Sequence, residues 1–290
     1  MIAKEVLQKI RRITIQTRRL ASGIHIGQSS SSQRGTGLEF DQIREYQVGD
    51  DIRFIDWKSS ARMNKILVKQ YIEERHKTIF LVVDGSSSTL YGSSSFLKFE
   101  TIAEIASVLA LVSNLSKDTV GLILFGQDVE FFIPPGKGYA HIHRIMEKLF
   151  SYKPKKRTKT NLSGALEFVA KLKKRNHMIF CISDFIADNF EKPLSLLSFK
   201  HDFVAIRCLD KNELRFPNVG IIPLQDDETG QTMILDTRTI VSKNLKKVFG
   251  RRLANQNNLF KKYGIDCLDI HPGYSFIGNL ITFFRRRTRY

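Results

Sequence analysis

Thr78-Ile79-Phe80-Leu81-Val82-Val83, followed at once by Asp84-Gly85-Ser86-Ser87-Ser88, is the stretch on which the reading of this chain turns. The first six residues are apolar or β-branched and have the length of a buried strand, so the polar run behind them falls at that strand's carboxyl end. It reads D-x-S-x-S. One carboxylate and two hydroxyls, from Asp84, Ser86 and Ser88, can there converge on a hard cation, which takes oxygen ligands in near-octahedral geometry. The surroundings are rich in serine, with Ser93 to Ser95 close behind, so the motif alone is a weak signal.

Two further segments strengthen it. Lys159-Thr160-Asn161 opens a helical stretch, and Met178-Ile179-Phe180-Cys181-Ile182-Ser183 is a second apolar run that ends in Asp184. Open parallel sheets bind ligands outside the carboxyl ends of their strands, where the strand order reverses. Three loops at that edge would present Asp84, Ser86, Ser88, Thr160 and Asp184 together. The set and its order resemble the metal-ion-dependent adhesion site (MIDAS) of von Willebrand factor A-type domains. The resemblance implies Mg²⁺ or Mn²⁺ held by those five residues.

From Thr78 onward strands and helices alternate. Strands are expected at 78–83, 120–125, 177–183, 202–209 and 265–270, and helices at 98–115, 142–150, 162–173, 190–198 and 239–263, with a last helix from 276. Val129 to Ile133 can pair back on the second strand, and a hairpin is expected around Asp226 to Gly230. This pattern argues for an α/β fold, a mostly parallel sheet of Rossmann type with helices on both faces. Ahead of it, 1–37 reads as an amphipathic basic helix (3–20) with a Ser/Gly-rich link (22–37), and 38–75 as a small β-rich extension. Residues 76–290 make up the main domain.

The 290 residues, 42% hydrophobic and 26% charged, suit a globular protein with a large core. Cys181, Cys208 and Cys267 sit in strand-like runs without metal spacing and read as buried core thiols of a reducing compartment. The N-terminus lacks the apolar core of a signal peptide, and the apolar stretch 276–284 is too short to span a bilayer. A cytoplasmic protein is expected. The net charge of +17 is concentrated: 151–175 holds nine Lys/Arg against Glu167, and 240–290 holds eleven against Asp266 and Asp269. Such patches can attract an anionic membrane face, nucleic acid or an acidic protein, and they equally suit solvated helix faces.

Within 35–75, Gly37-Leu38-Glu39-Phe40, Arg44-Glu45-Tyr46, Gly49-Asp50-Asp51, Arg53, Ile55-Asp56-Trp57 and Ser60-Ala61-Arg62 resemble the signature of the bacterial domain-of-unknown-function-58 family. Asp118 to Leu122 and Asp227 to Gly230 are also similar to family positions, while Lys117 stands where relatives usually carry glycine, a surface change of little expected consequence. The resemblance implies a von Willebrand A-like core, no established enzymatic activity, and a MoxR-type AAA+ ATPase as partner. Read directly, the signature block's alternating acids and arginines suit an ion-pair network that docks the extension, with Trp57 as anchor. Asp50 and Asp51 read as structural, since neighbours on a strand point apart.

No Walker A loop or hydrolase elbow is present, and His141 and His143 read as ordinary surface residues. The expected function is therefore Mg²⁺-dependent binding of a partner's acidic side chain, without catalysis. The alternatives are a metal-assisted phosphohydrolase, for which no base is evident near Asp84, and a basic nucleic-acid binder. The latter is weakened because Lys153 to Lys159 carries no aromatic residues to stack bases.

Overall fold

The computed structural model describes residues 39–72, 77–92, 97–172, 176–210, 220–225, 231–238 and 240–287. The expected helix at 3–20, the link at 22–37 and the tip of the hairpin at 226–230 lie outside the described residues. Residues 39–72 and 77–287 belong to two separate compact units.

The larger unit is built on a six-stranded sheet of β3 (Thr78–Asp84), β4 (Thr119–Phe125), β5 (Val129–Gly136), β6 (Met178–Ser183), β7 (Asp202–Cys208) and β10 (Asp266–Ile270). The spatial order is β5-β4-β3-β6-β7-β10, and every pairing is parallel except β4 with β5. Counted in chain order this is 3-2-1-4-5-6, the doubly wound arrangement, and the order reverses between β3 and β6. It is the mostly parallel, Rossmann-type α/β class expected from the sequence, with helices on both faces. Pro134 and Pro135 fall in β5, at the sheet's edge, where a missing backbone donor is tolerated.

Alternation along β3 explains its continuous apolar run. Ile79, Leu81 and Val83 face one layer, with helices α2 (Lys98–Leu115), α3 (Tyr139–Ser151) and α7 (Ile277–Arg287). Phe80 and Val82 face the other, with α4 (Leu162–Ala170), α5 (Glu191–Lys200) and α6 (Ile240–Lys262). Both faces are covered, so both registers must be apolar. A separate antiparallel ribbon, β8 (Ile221–Gln225) with β9 (Thr232–Asp236), is the expected hairpin. Cys181 and Cys208 are buried in central strands, whereas Cys267, on the edge strand β10, is only partly covered.

The smaller unit pairs β1 (Glu39–Glu45) with β2 (Leu67–Ile72), and helix α1 (Trp57–Met63) lies between them in sequence. Its chemistry departs from expectation. Trp57 is 69% exposed, so it is not a core residue of this unit. Asp50 and Asp51 lie in a turn rather than on a strand, and each is neutralised separately: Asp50 takes two bonds from Arg44, and Asp51 caps a 3-10 turn and pairs with Arg53. Both acids are structural because each has its own arginine, and not because a strand turns them to opposite faces. His141 is likewise no ordinary surface residue, because its Nε2 lies 2.7 Å from the Val120 carbonyl oxygen.

Candidate metal centre

The carboxyl end of β3 is shaped by the residues that follow it. Gly85 continues the ladder, donating to the Phe125 carbonyl at 2.7 Å. Its lack of a side chain is required: a Cβ there would lie 2.6 Å from Tyr152 Cε1, and the Tyr152 hydroxyl donates to the Gly85 carbonyl. Ser86 then caps a short 3-10 turn, Ser87–Leu90, closed by the Thr89 hydroxyl on the Ser86 carbonyl at 2.7 Å. This turn brings the Ser86 and Ser88 hydroxyls within 3.0 Å of each other. Ser87, which the motif skips, donates to the Thr158 carbonyl at 2.6 Å and so holds the second loop against the first.

Thr160 sits on that second loop, half-buried, one residue before the cap of α4. The loop is fixed by Asn161, whose amide donates to Gly126 and whose side chain accepts from the Gly164 amide. Gly126 in turn adjoins the Gly85 carbonyl and Ser86 Cα. The loop's Lys155 is tied to Glu130 at 3.2 Å, while Lys156 and Arg157 are exposed.

The third loop follows β6. Ser183 donates to Asp84 Oδ2 at 2.5 Å and accepts from the Phe185 amide, so it clamps the first and third loops together. Asp184 Oδ1 accepts from the Ile186 amide, and its Oδ2 faces the Lys98 ammonium at 3.4 Å. Phe185 is fully buried with φ +57, and its carbonyl accepts from Gln256 of α6. A buried phenylalanine in the left-handed region persists only where its surroundings enforce it.

Asp84 and Asp184 are 0% and 1% exposed. Burial, reinforced by the Asp184 charge, pushes the Asp84 carboxyl up to about 6, against hydrogen bonds from Ser183 and Ser86 that favour its ionised form. Two buried carboxylates, one raising the pKa of the other, are a recurrent mark of a functional centre. Sequence reading named the five candidate residues but missed Ser183 and Lys98. Ser183 ends the strand beside Asp184 and was legible as a neighbour. Lys98 was not, because a lysine opening a helix reads as solvated.

The donors suit a hard cation. All are oxygens, and the 3.0 Å between the two serine hydroxyls is also the edge of an octahedron with bonds of about 2.0–2.1 Å. Among the described residues no three His, Cys, Asp or Glu side chains converge, so a cation here would draw on hydroxyls and water besides the carboxylates.

A doubly wound unit with this loop cluster, preceded in sequence by the Arg/Asp-rich block, defines a class of proteins. The chain belongs to the family described as "Protein of unknown function DUF58", whose profile matches residues 42–258. The uncharacterized protein Rv1480 of Mycobacterium tuberculosis is 23% identical over 282 residues, covering 97% of this chain and 89% of that protein. The uncharacterized protein YeaD of Bacillus subtilis is 30% identical over 107 residues, which cover 37% of this chain and 25% of YeaD. Among solved structures, the conserved hypothetical protein BatB of Bacteroides thetaiotaomicron is similar at 14% identity and a TM-score of 0.48, covering 74% of this chain and all of that one. Among the described residues no helix is long and apolar enough to cross a membrane.

Proposed function

We propose that this protein is a non-enzymatic interaction module whose sheet edge holds a divalent cation, Mg²⁺ or Mn²⁺, and through it an acidic side chain of a protein partner. The supporting observation is the meeting, at the point where strand order reverses, of two buried carboxylates with a pair of hydroxyls 3.0 Å apart. Asp84, Ser86, Ser88, Thr160 and Asp184 would hold the ion. When bound, the ion supplies an electrophilic position that a carboxylate can complete. The chain's own residues do the orienting: Ser183 and the Ser86 amide fix the two oxygens of Asp84, and Ser87 pins the Thr160 loop.

Near-complete burial of both acids favours holding an ion over exchanging protons with a substrate. The partner in this reading is a MoxR-type AAA+ ATPase, with the protein as its adaptor. The exposed basic residues Lys156 and Arg157 beside the Thr160 loop suit an acidic partner surface. Basic segments of this kind also suit contact with the inner face of a membrane.

Calorimetric titration of Mn²⁺ and Mg²⁺ tests the reading. Asp84→Ala is expected to weaken Mn²⁺ binding by more than about 100-fold, beyond the ~10–100-fold that outer-shell partners cost, with an unchanged circular-dichroism spectrum. Equal affinity in wild type and variant would sink it.

A further inference from the structure

Lys98 stands where physical chemistry disfavours it. It is the first residue of α2, at the positive end of the helix dipole, and it is 1% exposed. Burying an ammonium is costly unless an anion compensates, and Asp184 Oδ2 lies 3.4 Å away. The ammonium also lies 5.6 Å from the centre of the Tyr91 ring, a second, weaker source of stabilisation. The charge is thus carried from another element into the cluster formed by Asp84 and Asp184.

We infer that Lys98 is an internal counter-charge that weakens binding of a bare divalent cation and makes stable loading depend on an acidic ligand from outside. This rests on the metal reading above. The two carboxylates and the ammonium together leave one net negative charge. A divalent cation turns this to one net positive charge, which an incoming carboxylate cancels. Without the ammonium the loaded site is already neutral, and a further carboxylate would leave it negative. Lys98 therefore moves free energy from binding the metal to binding metal and partner together. It acts through Asp184 and is a positioning and charge-setting residue.

The test uses the full chain, Mn²⁺ as the metal and acetate as the acidic probe. Lys98→Gln keeps a donor for Asp184 and removes only the charge. Calorimetry is expected to show Lys98→Gln binding Mn²⁺ about tenfold tighter than wild type without acetate. Acetate should raise the Mn²⁺ affinity of wild type and leave that of Lys98→Gln unchanged. A merely structural lysine would not tighten metal binding when removed. If Lys98→Gln binds Mn²⁺ no better than wild type while Asp84→Ala loses it, the metal reading stands and the counter-charge proposal is overturned. If Asp84→Ala binds like wild type, both fall. Should Lys98→Gln be unfolded in EDTA, recovery of its melting transition by Mn²⁺ supports the proposal, and failure to recover overturns it.

Discussion

Two charged clusters lie inside the larger unit, and they are balanced differently. Around Arg207, 2% exposed, the guanidinium donates twice to Asp269, at 2.7 and 2.9 Å, once to Gln256 and once to Asn257. Cation and anion match, the geometry is bidentate, and β7, β10 and α6 are joined. Around Asp84, two buried carboxylates meet the Lys98 ammonium at a looser 3.4 Å, and the Asp84 carboxyl is pushed up to about 6. The first cluster is complete as built. The second is short of positive charge, and a fold that tolerates such a shortage does so at sites where something binds. Gln256 touches both, accepting from Arg207 and donating to the Phe185 carbonyl.

The comparison breaks if the clusters are not independent. Arg207→Met should cost on the order of 3 kcal/mol, the range for hydrogen bonds to a charged group, because Gln256 is left buried without its partner. Urea unfolding would measure this. Mn²⁺ affinity should stay within about twofold of wild type, which calorimetry checks. A parallel collapse of metal binding would mean that Gln256 transmits the Arg207 cluster's state to the Asp184 loop, and the division into structure and site would be wrong.

Asp84→Asn sharpens the comparison from the other side. The folded protein holds the Asp84 proton more tightly than the unfolded chain. Its contribution therefore favours folding below about pH 4 and is lost as pH rises through about 6. Above pH 6 the buried carboxylate is a burden that asparagine removes. The raised value, which already contains the hydrogen bonds from Ser183 and the Ser86 amide, corresponds to about 3 kcal/mol; asparagine has one acceptor oxygen for these two donors, and the one left facing its NH2 group takes back about 1. A gain of roughly 2 kcal/mol at pH 7.5 in EDTA is expected, shrinking towards zero as the pH falls to 4. Denaturation at both pH values checks it, and destabilisation at pH 7.5 would show that Lys98 already compensates Asp84.

Much of this architecture was legible because its signals are periodic. Runs such as 79–83 and 178–182 are apolar at every position because both faces are covered, and the strand–helix alternation leaves few other topologies. The loop positions of Asp84, Ser86, Ser88, Thr160 and Asp184 were legible because each follows a strand or precedes a helix. What could not be read depends on tertiary placement. Lys98 and Arg207 carry the same charge as solvated lysines and arginines elsewhere, and only packing shows them buried. Trp57 shows the converse: the largest apolar side chain of the signature block reads as a covered residue, and it is not packed into the interior of its own unit. Backbone conformation is equally silent in composition, as Phe185 and Lys117 show.

Lys117 supplies the smallest test. Helix α2 ends at Leu115 with Ser116 as its cap. The Lys117 amide donates to the Asn114 carbonyl and the Asp118 amide to the Ser113 carbonyl, both at 3.0 Å. This is a Schellman ending, and Lys117 occupies its left-handed position with φ +59. A side chain there meets the backbone at a cost of roughly 1–2 kcal/mol, which glycine avoids. Glycine gives back part of that gain by loosening the unfolded chain, and the lost lysine charge no longer favours the helix's negative end. The balance is a stabilisation of about 0.5–1 kcal/mol for Lys117→Gly, or about 1–3 °C in melting temperature. The substitution is therefore more than the inconsequential surface change the sequence suggested. Scanning calorimetry should find the same increment in EDTA and in Mn²⁺, because this end of α2 is remote from Lys98 at its start. An increment that depended on Mn²⁺ would show that the whole helix moves with the charge cluster at its first residue.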